Sequence, residues 1–520
     1  MQVLHRAQIR SASAHAAIYT PEGLARRWLF GTKSITHRPL TRMRPRAEKC
    51  YPQPMRPFFP LVLLAVVTAS AHAQLSTDTE AKVAAIANHV LEETGVPSAS
   101  VGIVQDGKVV YTHAFGLANI TPPRPAEPSM AYPIGSVSKQ FTAAAVLLLQ
   151  QQGKLSINDT VGKYFPELTR ANDVKLINLM TMTSGYEDFA PQDYSIPAWY
   201  QPEDPAKTVH DWATKPLDFE PGTQWQYSNT NYVLLALIVE KVTGQPFYTF
   251  LRSTVLDPAH LPAVFNAYAH REQLQVTGYI SYAMQPPRVL PLEANSWYFG
   301  DGELAMPAST LLQWDLNFIH KSLLSPASYK LMETPFITAD GKDTGYGLGI
   351  FIKDHDGHLE LEHGGEVGGY VSENIVFPND KAAIVVLTNE TASEAASEIA
   401  AQITPLVLPA AAAANSTEAA DHVAMQLPTI LAGLAKGEID RSLFTANCNS
   451  YFGPDALKDF AAELAPLGAV KDVTKARSAL RGGMTFGLYR ITFANGSALL
   501  LDTYTLPDGK IEQLLILGKG

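Results

Sequence analysis

The sequence predicts an α+β fold: an antiparallel sheet flanked by helices, interrupted by a helical insert, and followed by a small C-terminal α+β domain. Three observations carry this expectation. Strand-like segments stand at both ends of a long helical and loop-rich stretch, roughly residues 134–320. The order is hairpin, helices, strands, helix, which argues against alternating βαβ units. An Ala-rich break, "PAAAAANSTEAAD" over residues 409–421, then reads as a linker ahead of about a hundred further residues.

The elements follow in order. Val83, Ile86, Val90 and Leu91 form one stripe, which predicts a helix over 77–94. "SASVGIVQDGKVVYTHAFG" alternates and turns at Asp106-Gly107, a hairpin. "PIGSVSKQFTAAAVLLLQQQGKL" (133–155) opens on polar residues and runs into an apolar helix. "PGTQWQYSNTNYVLLALIVEKVTG" places a loop before a second apolar helix, about 231–242, which stops at Gly244. Strands return at "YGLGIFI", "LELEHGG", "VSENIVF" and "KAAIVVLTN", the last two joined by a turn at Pro378-Asn379-Asp380. "EAASEIAAQITPLVL" reads as a closing helix. Beyond residue 421, helical segments near 423–435 and 454–464 precede strands from Met484 onward, with turns at Asn495-Gly496 and Asp508-Gly509.

Charge narrows the function classes. The net charge of -10 hides an asymmetry: residues 1–73 hold 11 Lys and Arg against 2 Asp and Glu, and the rest hold 29 against 48. A body this acidic does not suggest a nucleic-acid partner. "MRPFFPLVLLAVVTASAHAQ" has the charged, apolar, Ala-x-Ala order of a secretory signal over 55–73, cut before Gln74. Residues 1–54 then read as a non-structured or misassigned extension. The expected location is periplasmic or secreted, with no membrane span left after cleavage. Of the two cysteines, Cys50 precedes the cut, and Cys448 reads as packing. No metal-ligand signature or phosphate-binding loop is present, so no cofactor or metal is expected. Asp354, His355, Asp356 and His358 crowd one turn around Gly357 and read as a solvated hairpin.

Ser136 and Lys139 stand three residues apart. On a helix that spacing shares a face and lets the amine reach the hydroxyl. At a helix start the Ser136 N–H lacks an intrahelical partner and can donate to a developing oxyanion. The apolar run that follows predicts burial, which disfavours the charged form of an amine, and only a neutral amine can take a proton. An N-cap serine, either Ser136 or Ser138, with a surface lysine is the bland alternative. Tyr227 and Asn229 are two apart, so an extended loop aims both the same way. A phenol there can pass a proton to a leaving group, and an amide can orient a carbonyl. In "LELEHGGEVGGYVSENIVF" a strand reaches His363, Gly364 and Gly365. The glycines permit close backbone approach, and the Glu366 N–H can complete an oxyanion site with Ser136.

The order S-x-x-K, Tyr-Ser-Asn, His-Gly-Gly resembles the penicillin-recognising serine hydrolases: class C β-lactamases, their esterase relatives and D-alanyl-D-alanine peptidases. "KLSINDTVGKYFPEL", "LMTMTSGYEDF" and "YGLGIF" resemble them too, over about 81–406. The resemblance implies a β-lactamase/transpeptidase-like fold over 74–408. It also implies an acyl-enzyme on Ser136, with Lys139 and Tyr227 as proton-transfer groups. Asn229, His363, Gly364, Gly365 and Glu366 are then substrate-binding. The substrates it implies are small esters, D-amino-acid peptides or amides, or β-lactams. Two departures stand out: His363 replaces the usual lysine of K-T-G, which puts β-lactam hydrolysis in doubt, and Met182 replaces a histidine. Residues 422–520 loosely resemble NTF2-like domains. A non-catalytic or slowly deacylating receptor is the competing class.

Overall fold

The computed structural model describes residues 74–283, 285–408, 422–481 and 484–519. The predicted extension, signal and linker (1–54, 55–73 and 409–421) lie outside the described residues.

Helix α1 (Thr77–Thr94) has the predicted bounds, is capped by Ser76 and ends at left-handed Gly95. β1 (Ser98–Gln105) and β2 (Lys108–Asn119) form the predicted hairpin, and β3 (Arg124–Pro125) follows. After the insert come β4 (Phe351–His355), β5 (His358–Val367), β6 (Tyr370–Phe377) and β7 (Ala382–Thr388). Together they make a seven-stranded sheet in the order β3-β2-β1-β7-β6-β5-β4, with β1 antiparallel to β7. Strands from the two ends of the body thus meet in one sheet.

β7 is buried along its whole length because both faces are covered. Ile384 and Val386 point to a core with α1 and the closing helix α5 (Ala395–Val407). Ala383, Val385 and Leu387 point to the larger core with α2 (Ser138–Gln151), α3 (Asn229–Thr243) and α4 (Ala308–His320). The two-residue period of a strand sorts its side chains between the two cores.

Three local expectations are corrected. The α-helix after the S-x-x-K motif begins at Ser138, and Gly135–Val137 form a single 3-10 turn. α3 begins at Asn229, so Tyr227 and Asn229 do not share an extended loop. In "YGLGIFI" the strand starts only at Phe351, because Gly345 and Gly349 take positive φ and break extended pairing.

Residues 422–519 form their own core. α6 (His422–Leu434) and α7 (Pro454–Leu464) precede a four-stranded antiparallel sheet of β8 (Val470–Arg481), β9 (Met484–Phe493), β10 (Ala498–Thr505) and β11 (Ile511–Lys519). Phe444, Phe452, Phe460, Ile491, Leu501 and Ile516 meet there, and buried Cys448 packs with them. This segment seats on the body: the Tyr194 hydroxyl donates to Glu512 O at 2.7 Å, and Tyr194 and Tyr451 rings lie 5.2 Å apart. No helix among the described residues is long and apolar enough to cross a membrane.

Candidate functional site

From Met130 to Leu147 every residue is buried except Ser136, which is half-buried. Gly135 makes this possible: its φ is +48°, and a Cβ there would lie 2.7 Å from Glu366 N. Gly365 faces it, where a Cβ would sit 2.0 Å from Ile134 O. These two glycines let the Ser136 turn lie directly against β5. β4 pairs with β5 only as far as Glu362, so the rim from His363 to Glu366 has no strand neighbour on that side among the described residues.

Lys139 has no exposed surface. Its Nζ lies 2.9 Å from Ser136 Oγ, 2.7 Å from Asn229 Oδ1 and 3.0 Å from Asp301 O. The Tyr227 ring centroid is 5.0 Å from the same nitrogen. Helical spacing, the start of α3 and the Asp301 turn therefore converge on one amine. A neutral amine has two N–H donors and one lone pair. In that form, donation to Asn229 Oδ1 and Asp301 O would turn the lone pair to Ser136 Oγ; as an ammonium the group donates to all three oxygens.

Asn229 sits at the centre of a polar network. Its Oδ1 accepts from Lys139, while its Nδ2 donates to Ala190 O at 3.0 Å and Asp188 Oδ2 at 3.3 Å. The amide positions the lysine. His363 is buried, with Nδ1 2.6 Å from Gly364 O and Nε2 3.1 Å from the Tyr346 hydroxyl. A carbonyl only accepts, so Nδ1 carries a hydrogen toward Gly364 O, while Nε2 shares a hydrogen bond with the Tyr346 hydroxyl. Met182 takes up its altered position by turning its sulfur to Ser228 N at 3.4 Å. Trp225 lies beside Tyr346 and Phe351 at the cleft wall, and buried Trp199 packs against Trp297 and Tyr298 and lines a second hollow that also reaches Ser136. The Asp354–His358 cluster does sit on the β4–β5 hairpin turn, with His355 on Glu360 and His358 on Asp380.

Asp301 joins the site without a motif that points to it. Its carboxylate is buried 3.7 Å from Lys139 Nζ. Desolvation pushes it up to about 7, with Lys139 opposing. The stretch Phe299-Gly300-Asp301-Gly302-Glu303 carries an acid between glycines, the one signal that could have flagged it. Burial also lifts Glu303, Glu366, Glu373 and Glu390 to about 8.

A carboxyl raised in the folded chain keeps its proton there to about pH 8, while the unfolded chain releases it near about pH 4. Between those values the unfolded state binds fewer protons, so stability falls as pH rises. The thermal midpoint should decline from about pH 5 to about pH 8 and level off above that. Calorimetry across this range checks it, and a midpoint that climbs over the interval contradicts it.

Penicillin-binding protein 4* of Bacillus subtilis (strain 168) is 27% identical over 302 residues, 55% of this chain and 66% of that protein. The chain thus spans just under two thirds of that relative's length. The octameric penicillin-binding protein homologue from Pyrococcus abyssi has a similar fold, with a TM-score of 0.54 at 21% identity, over 85% of this chain and 99% of that one. D-amino acid amidase from Ochrobactrum anthropi SV3 matches with a TM-score of 0.55 at 20% identity, over 63% of this chain and 98% of that one. The sequence pattern of the Beta-lactamase family matches residues 83–407, from within α1 to the end of α5. That match encloses the whole Ser136–Lys139 site, and the chain belongs to the Beta-lactamase family.

Proposed function

We propose that this chain is a serine hydrolase that works through an acyl-enzyme on Ser136, acting on small esters and D-amino-acid amides. The observation that carries this is the 2.9 Å contact between a fully buried lysine amine and the hydroxyl of the one half-buried residue in its run. In this reading Ser136 Oγ attacks the substrate carbonyl carbon as its proton passes to Lys139. The Ser136 and Glu366 N–H groups receive the oxyanion. Tyr227 delivers a proton to the leaving group, and water later releases the acyl group. The D-amino acid amidase and penicillin-binding likenesses support the substrate class.

β-Lactams fit less well. His363 stands where a lysine would carry a full-time charge, and its ring nitrogens contact Tyr346 and Gly364, so a β-lactam carboxylate meets a weaker cationic partner at neutral pH. Measurable hydrolysis of p-nitrophenyl acetate or butyrate is expected, with weak or no turnover of nitrocefin. A side-by-side assay with D-alanine p-nitroanilide tests this. Efficient nitrocefin turnover with little esterase activity favours a true β-lactamase. Labelling of Ser136 with no turnover of any substrate favours the receptor reading.

The proposal extends to export. The purified exported protein should begin at Gln74 on N-terminal sequencing. A cytoplasmic protein that keeps residues 1–54 refutes it. The division into a hydrolase domain over 74–408 and an NTF2-like domain over 422–520 belongs to the same reading, supported by the order of helices and sheet in the second segment.

A further inference from the structure

A cavity of about 310 Å³ opens from Ser136 past Tyr227 and His363. Its other wall comes from the C-terminal sheet, through Arg477, Phe486, Asp502, Tyr504, Leu515 and Leu517. The charge balance is one-sided. Asp193, Glu362, Glu366, Glu373, Glu394 and Asp502 line it, with the exposed Arg477 as the one full-time cation among the described lining residues and His363 also on the lining.

Some of these acids are satisfied. Glu362 pairs with Lys353, and Glu366 accepts from Thr391 and Ala392 N. Two are not. Asp502 is 4% exposed and its Oδ1 has no hydrogen-bond partner. Glu373 is 8% exposed and its Oε1 has none either. Gln513 Nε2 donates to both Asp193 Oδ2 (3.2 Å) and Asp502 Oδ2 (3.0 Å), so one amide holds acids from both segments side by side. Buried acceptors without donors are costly, and a cation entering the cavity offsets that cost. Trp225, Phe351, Phe486 and Tyr504 line the same space, and aromatic faces attract ammonium groups. No cluster of three or more metal-type ligands occurs among the described residues, which favours an organic cation over a metal ion.

We propose that this cavity is a cation subsite that takes an organic ammonium on the leaving-group side of the substrate, with Asp502 and Glu373 as its anionic walls. This rests on the reading of Ser136 as the acylated nucleophile and Tyr227 as the leaving group's proton donor. In the empty cavity burial and neighbouring acids hold both carboxyls above their ordinary range, Glu373 at about 8. An ammonium that binds ionises them, so binding releases protons.

The test uses the full chain and three butyrate esters: butyrylcholine, its uncharged isostere 3,3-dimethylbutyl butyrate, and the carboxylate-bearing 4-(butanoyloxy)butanoate. Acid release is followed by pH-stat. The choline ester should exceed the isostere about tenfold in kcat/KM, with the carboxylate ester poorest. Asp502→Asn, and separately Glu394→Gln on the half-buried rim, should bring that ratio toward one. Equal rates for the choline ester and the isostere overturn the proposal, as does preference for the carboxylate ester through Arg477. A second arm needs no turnover. Ser136→Ala titrated calorimetrically should bind butyrylcholine more tightly than the isostere, with proton release seen as a dependence on buffer ionisation enthalpy. Equal binding there overturns the subsite. Tight binding without any ester cleavage by the wild type keeps the subsite and sinks the hydrolase reading.

Discussion

Lys139→Arg is expected to lose at least about a hundredfold in the rate of Ser136 acylation, the scale typical of removing a general base. Arginine keeps the positive charge, but its guanidinium does not deprotonate in proteins and so cannot accept the serine proton. Geometry adds to the loss. Lys139 ends among three oxygens at 2.7 to 3.0 Å in a space with no exposed surface, and a planar fork cannot reproduce that arrangement. Stopped-flow acylation by a p-nitrophenyl ester measures the effect, with circular dichroism and the thermal midpoint confirming that the variant is folded. Near-normal acylation by a folded Arg variant makes Lys139 structural.

Much of this arrangement is legible in the sequence because local rules decide it. α1 shows a regular apolar stripe, and its bounds follow from Ser76 and Gly95. The Asp106-Gly107 turn fixes the first hairpin, since both residues take positive φ. Ser136 and Lys139 meet because three-residue spacing works in a 3-10 turn running into a helix as well as in a helix alone. Other features were set by distant partners. β8, "VKDVTKARSALR", is an edge strand whose sequence is rich in charges and has only weak apolar alternation, so no strand signal stands out. The helix at Ala446–Tyr451 is too short to show a period. Asp301 reaches Lys139 across 162 positions, and no spacing rule connects them. The acidic cavity wall formed by Asp502 and Gln513 depends on how the C-terminal segment seats on Asp193 and Tyr194, which composition cannot reveal.

The central claim is that Ser136 is the nucleophile. The structure concentrates on that atom a buried lysine, two glycines that clear backbone space, and an open strand rim. Ser136→Ala removes the attacking oxygen and leaves these surroundings in place. Intact-mass spectrometry after treatment with a serine-directed phosphonate or a fluorescent penicillin reads this directly. The account predicts one covalent adduct on the wild-type chain and none on Ser136→Ala. An adduct that persists on the alanine variant, at wild-type extent, contradicts it.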